Sequence, residues 1–177
     1  MKNSIIVENL SKNYSENKAV KNISFKIDEN EIVGLLGPNG CGKTTTIAML
    51  LGLLKPSSGQ ILINGISIEN NRIELLHKMN FISPYIELPK KLTVKENLVV
   101  YSKLYSVKNF KNRIDYLSDT LRLHDFINKK TGELSSGQKN RVSFAKSLIN
   151  NPSILLLDEP TASLDPGTAD FVRTFLE

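Results

Sequence analysis

The sequence predicts an α/β fold interrupted by a helical insertion, and three observations predict it. Over the first eighty positions apolar residues come in short alternating or continuous runs; over roughly 85–150 they recur at helical spacing; at Ile154–Leu157 a continuous apolar run returns. Strand-rich segments on either side of a helical one argue for mixed layers around a hydrophobic core. With 177 residues, 40% of them hydrophobic and 23% charged, the chain suits one domain with a subdomain.

Each element has its own reason. Ile5–Val7 is a short apolar run, and Ile23, Phe25 and Ile27 alternate with polar neighbours as a half-buried strand does. Ile32–Leu36 is nearly continuous and ends at a glycine, the pattern of a buried parallel strand. Thr45–Leu54 reads as a helix, broken by Pro56, Ser57, Ser58 and Gly59. Ile61 and Ile63 alternate into the turn pair Asn64-Gly65. Thr93–Glu96 has the capping-box pattern, with Leu98, Tyr101, Leu104 and Tyr105 following at helical spacing. Ile114, Leu117 and Leu121 mark a further helix. The chain stops at Glu177 inside a helical pattern with no glycine to end it, which reads as a truncated domain.

Composition narrows the partners. The net charge is +5, but the lysines are scattered, which reads as a solvated surface and points away from nucleic acid. Cys41 is the only cysteine, so no internal disulfide forms and a reducing, cytoplasmic setting fits. The amino terminus has no secretory apolar region, and nowhere do about 18 apolar residues run together to span a bilayer. Any membrane role must come through a partner.

The strongest chemical signal is GPNGCGKT at Gly37–Thr44, which matches G-x-x-x-x-G-K-[ST]. Glycines let the backbone curl so that several N–H groups face one phosphate, and the following helix adds partial positive charge. Lys43 is placed to reach the β- and γ-phosphates and Thr44 to offer its hydroxyl to Mg²⁺. The candidate nucleotide site therefore comprises Gly37, Pro38, Asn39, Gly40, Cys41, Gly42, Lys43, Thr44 and Thr45, with Cys41 incidental in its free position. A second signal is ILLLDEP at Ile154–Pro160, where two carboxylates end an aliphatic strand at the edge where open α/β sheets bind ligands. Asp158 suits the Mg²⁺ shell and Glu159 suits polarising an attacking water. A third is LSSGQ at 134–138. Ser135 and Gln138 form a capping-box pair, and Val142, Ala145 and Leu148 then share one helical face. Capping alone explains that stretch if it is read in isolation.

Taken in order, GPNGCGKT, LSSGQ, ILLLDEP and ASLD resemble the ATP-binding cassette of ABC proteins, across almost the whole chain. The resemblance implies a P-loop NTPase with a RecA-like parallel sheet core, an N-terminal antiparallel β subdomain and an inserted helical subdomain. It divides the chain into a nucleotide-binding core at 1–84 and 151–177 and a helical subdomain at 85–150 carrying the signature loop. It implies that two cassettes pair head to tail, with ATP and Mg²⁺ on the phosphate loop of one capped by Ser135, Ser136, Gly137 and Gln138 of the other. Tyr14 matches an aromatic that stacks on adenine. Asp165 matches the loop that crosses to the second cassette, and it is equally suited to cap a helix beside Pro166.

The sequence also departs from the family. Aligned on the following LTV, Pro84 stands where the family has a glutamine that senses Mg²⁺ and the attacking water; proline has no side-chain amide. Ser83 carries a hydroxyl one residue earlier. Ser136 replaces the commoner glycine of the signature. The family carries a γ-phosphate switch histidine on a strand well after the stretch that matches ASLD; His77 and His124 both come too early to be it, so these 177 residues alone are expected to hydrolyse ATP poorly. The function implied is the energy-coupling ATPase of a membrane transporter, resembling bacterial exporter subunits, peripheral on the cytoplasmic face, with separate transmembrane permease subunits and a second cassette as partners. The alternatives are a soluble ABC ATPase acting on ribosomes or DNA, and a degenerate cassette that binds ATP with weak hydrolysis.

Overall fold

The computed structural model describes residues 3–83 and 87–158. They fall into two compact units, Met1–Leu76 and His77–Glu177.

The first unit is built on a four-stranded antiparallel sheet of β1 (Asn3–Tyr14), β2 (Asn17–Asp28), β3 (Ser58–Ile63) and β4 (Ile66–Ser67), in the order β2-β1-β3-β4. Ile5 and Val7 of β1 pair with Ile63 and Ile61 of β3, and all four are buried. The next buried position is Leu10 rather than residue 9, because the β1–β2 register shifts between Val7 and Leu10, where Asn9 has φ 49°. Such a bulge flips the alternation by one residue and returns Leu10 to the inner face. Asn64 (φ 51°) and Gly65 (φ 78°) turn β3 into β4, as the Asn-Gly pair predicts. α1 (Lys43–Leu50) follows the glycine-rich loop and buries Thr46, Ile47, Met49 and Leu50. It is shorter than the helix expected over Thr45–Leu54, because Leu51 caps it and Gly52 adopts φ 61°. α2 (Arg72–His77) closes this part of the chain.

One expectation is overturned here. Ile32–Leu36 forms no strand; Ile32 and Leu36 are 75% and 92% exposed, and Val33 and Leu35 are exposed too. An apolar run becomes a strand only when a neighbour supplies the hydrogen-bond ladder, and no described residue pairs with this one.

The second unit joins β5 (Met79–Ile82) and β6 (Ile154–Leu157), a parallel pair, to α3 (Val94–Leu104), α4 (Phe110–Thr120) and α5 (Ser136–Leu148). Its core gathers Ile82, Leu98, Leu117, Leu121, Leu123, Val142, Phe144, Ala145 and Ile149, with Leu155 and Leu157 packed against it. Most of the apolar positions expected for the helices face this core, but Leu104, at the end of α3, is 67% exposed. Thr93 completes its capping box with Glu96: the Thr93 hydroxyl accepts from the Glu96 N–H at 3.1 Å, and the Thr93 N–H donates to Glu96 Oε2 at 2.8 Å. That pairing holds the Glu96 carboxyl below its ordinary pKa. α5 is anchored at its far end. Arg113 of α4 donates to the Leu148 carbonyl, and the Lys146 ammonium lies 5.3 Å from the Tyr101 ring centre, where burial lowers its pKa. No described helix is long and apolar enough to cross a membrane.

Candidate functional site

In the first unit, α1 begins in an unusual way. Its N-cap is Gly42, at φ 96° and ψ 12°, and no side chain caps it. That left-handed backbone strongly favours glycine. A β-carbon at Gly42 would also fall on the Ala19 carbonyl oxygen and lie 3.0 Å from Val20 Cγ2. The loop therefore packs its last glycine directly on β2. Gly40, at φ 79°, makes the preceding bend, and the Cys41 N–H donates to the Pro38 carbonyl at 3.2 Å. The Cys41 thiol is exposed, with Sγ 2.5 Å from where a Gly37 β-carbon would stand.

Lys43 Nζ donates to the carbonyls of Gly37 (2.7 Å) and Pro38 (3.0 Å), so the ammonium is folded back over the loop. Thr46 sends both its N–H and its hydroxyl to the Gly42 carbonyl, at 2.8 and 2.9 Å, locking the first turn. The result is a curled loop, a cation over it and a helix N-terminus without a side-chain cap, which together make an anion cradle. Pro38, Asn39 and Thr44 are exposed within it, and Thr45 is half-buried. Tyr14 ends β1, 48% exposed, opposite Asn17 in the hairpin whose second strand supports Gly42; Lys12 Nζ lies 5.4 Å from its ring centre.

In the second unit, Ser135 caps α5 with the full box. Its hydroxyl accepts from the Gln138 N–H at 3.2 Å, and its N–H donates to Gln138 Oε1 at 3.0 Å. The box leaves the amides of Ser136 and Gly137 at the open helix end, where no helical carbonyl reaches them. Beside this turn lies an open pocket of about 420 Å³, lined by Ser135–Gln138 together with Arg122, Asp125, Phe126 and Arg141. The last four were not singled out by any motif.

Asp158 leaves β6 at the sheet's C-terminal edge and is buried; its N–H continues the ladder to the Ile82 carbonyl at 2.9 Å. Ile82 pairs with Leu157, so Ser83 and Asp158 emerge side by side from the two strands. Ile154 is buried and the rest of β6 half-buried. Pro84, Glu159 and Asp165, and the expected C-terminal helix, lie outside the described residues.

Comparison with known proteins agrees with this geometry. The sequence pattern of the family described as ABC transporter matches residues 20–162. The bacitracin transport ATP-binding protein BcrA of Bacillus licheniformis is 41% identical over 160 residues, covering 89% of this chain and 51% of BcrA. The chain thus spans about half the length of the curated relatives it matches first. Among solved structures, cbiO1 from Clostridium perfringens, part of the ABC transporter complex cbiONQ, superposes with a TM-score of 0.85 at 31% identity, over 99% of this chain and 73% of that one. An ATP-binding cassette solved as a dimer in a post-hydrolysis state, bound to ADP and Pi, superposes with a TM-score of 0.84 at 30% identity, over 97% of this chain and 81% of that one. With a phosphate loop entering α1, a signature turn entering α5 and an acidic residue ending β6, this chain belongs to the ABC transporter family and has the P-loop NTPase fold.

Proposed function

We propose that this chain is the ATP-binding and hydrolysing part of a membrane transporter, driven by ATP-dependent head-to-tail pairing of two cassettes. The observation that carries this reading is the presence of two unlike helix starts in one chain, one left uncapped behind a curled glycine loop with a lysine and one closed by a capping box. The dimeric relative with ADP and Pi supports the pairing.

In this reading Gly37–Thr45 wraps the triphosphate, Lys43 neutralises its charge and Tyr14 stacks on adenine. Ser135, Ser136, Gly137 and Gln138 present amides and hydroxyls to the nucleotide held by the second cassette, and Asp165 crosses the same junction. Glu159 orients the attacking water as general base. Thr44 and Asp158 would hold Mg²⁺, which would neutralise charge on the phosphate oxygens. The residues fit such an ion, since both offer hard oxygen. The core at 1–84 and 151–177 carries the chemistry and the helical subdomain at 85–150 carries the second loop.

Separate transmembrane permease subunits would place the protein on the cytoplasmic face. The test is purification of the complete protein from membranes under mild detergent. A co-purifying multispanning protein, and ATPase activity that changes on its removal, are expected. A protein found only in the soluble fraction with ribosomes or DNA overturns the transporter reading.

A further inference from the structure

Lysines that look scattered along the sequence do not all stay apart in the fold. Two stretches, 90–95 and 127–132, lie against each other at the start of α3. Four backbone bonds join them. The N–H groups of Gly132, Thr131, Val94 and Lys95 donate to the carbonyls of Lys90, Leu92, Lys129 and Ile127, at 3.1, 3.0, 3.0 and 2.9 Å. Gly132 allows the close approach, for a β-carbon there would stand 3.1 Å from the Lys90 carbonyl oxygen. Polar side chains buried beneath the turn hold it from inside. The Asn97 amide donates to the carbonyls of Pro89, Leu92 and Thr93, and the Thr131 hydroxyl donates to the Pro89 carbonyl at 2.7 Å. The backbone is therefore fixed from within, while Lys90, Lys91, Lys95, Lys129 and Lys130 are all exposed outside it.

The neighbouring acids are fewer and mostly engaged. Glu87 pairs with Lys90 at 2.8 Å. The Glu96 carboxylate accepts from the N–H and hydroxyl of Thr93, at 2.8 and 3.0 Å, and lies in the field of Lys130. Glu133 is the third. Lys91, Lys95 and Lys129 make no ion pair among the described residues. No arginine occurs in 87–96 or 127–133. Arginine suits paired recognition of a single carboxylate, whereas lysine is a hydrated point charge on a flexible stem. Several such charges on one rigid base suit a continuous negative surface better than one acidic side chain.

We propose that this lysine cluster is a docking surface for an anionic bilayer, with lipid phosphate headgroups as its partner. The attraction comes from charge, which salt screens within a Debye length. It needs neither a spanning helix nor a permease, so it stands apart from the transporter reading.

The test is co-sedimentation of the complete protein with protein-free vesicles at low and high salt. One set holds phosphatidylglycerol and phosphatidylcholine in equal parts, the other phosphatidylcholine alone. The protein should bind the anionic vesicles at low salt, leave them at high salt and ignore the neutral ones. Replacing three lysines together, Lys91→Ser, Lys95→Ser and Lys129→Ser, should weaken binding by about fivefold each, on the order of 100-fold in all, with an unchanged melting temperature. Lys91→Arg, Lys95→Arg and Lys129→Arg together should keep it. Lys18→Ser, Lys21→Ser and Lys26→Ser, on exposed positions of β2, make the same change in net charge and should leave binding nearly as it was. Equal losses for the two serine triples would show an effect of total charge and overturn the proposal. No binding by the parent protein overturns it too and leaves the transporter reading untouched. If the Lys91, Lys95 and Lys129 serine triple binds vesicles as the parent does but loses a co-purifying membrane protein, the lysines face an acidic protein segment and the lipid proposal falls.

Discussion

The starts of α1 and α5 are both helix N-termini rich in small residues, yet they are finished in opposite ways. At α5 a serine and a glutamine satisfy each other's backbone N–H groups, so the turn is complete within the chain. At α1 the cap is a left-handed glycine with no side chain to offer, and a lysine is folded over the loop carbonyls. Orphan amides at a helix start need acceptors. One start supplies most of its own, while the other is shaped for an acceptor brought from outside. The difference teaches why a single chain carries both. In the proposed reading the first grips an anion by itself, and the second is a stable surface that adds donors to an anion already held.

Substitutions can break this contrast. The largest effect is expected from Lys43→Ala, which removes the only lysine in the curled loop. ATP binding measured by equilibrium dialysis should fall at least ~100-fold, in line with about 3 kcal/mol for a charge-assisted pair with phosphate. Nucleotide affinity within threefold of the parent would show that Lys43 does not face the phosphates. Next is Gly42→Ala. A left-handed backbone and a collision with the Ala19 carbonyl together should cost about 2–3 kcal/mol, read as a lower melting temperature with loss of ATP binding. An unchanged melting curve would mean that the loop does not rest on β2 as described. The smallest effect sharpens the other side of the contrast. Ser135→Ala should cost ~1 kcal/mol of stability through the lost cap, leave the monomer's ATP affinity intact, and weaken ATP-driven pairing. A fall in monomer ATP affinity would put the two loops on one nucleotide in one chain and remove the contrast.

What could be read from the sequence was what depends on neighbours a few residues apart. Thr93 with Glu96, Ser135 with Gln138, and the Asn64-Gly65 turn are local hydrogen-bond patterns, and each stands in the structure as its spacing predicts. The helical faces of Leu98, Leu117 and Val142 were legible because burial follows period. Ile32–Leu36 misled because a strand is a property of two segments, and apolarity reports only one of them. The bulge at Asn9 was hidden for the same reason, since a register shift shows itself only against the partner strand. At the site, the phosphate loop was plain from its glycines and lysine, and the cap of Ser135 with Gln138 from their spacing, while a further role for that second turn came only from the family resemblance. Their surroundings were not legible. Nothing in the sequence ties Ala19 to Gly42, a contact made by the fold across more than twenty residues.

Sedimentation of the complete protein with Glu159→Gln, with and without saturating Mg²⁺-ATP, asks directly whether the two loops meet across a nucleotide. Two copies should associate with ATP, separate when ATP is replaced by ADP, and associate more weakly when Ser135→Ala is added. A variant that binds ATP fully and sediments as a monomer at every concentration would contradict the claim that the second loop serves the nucleotide of another cassette.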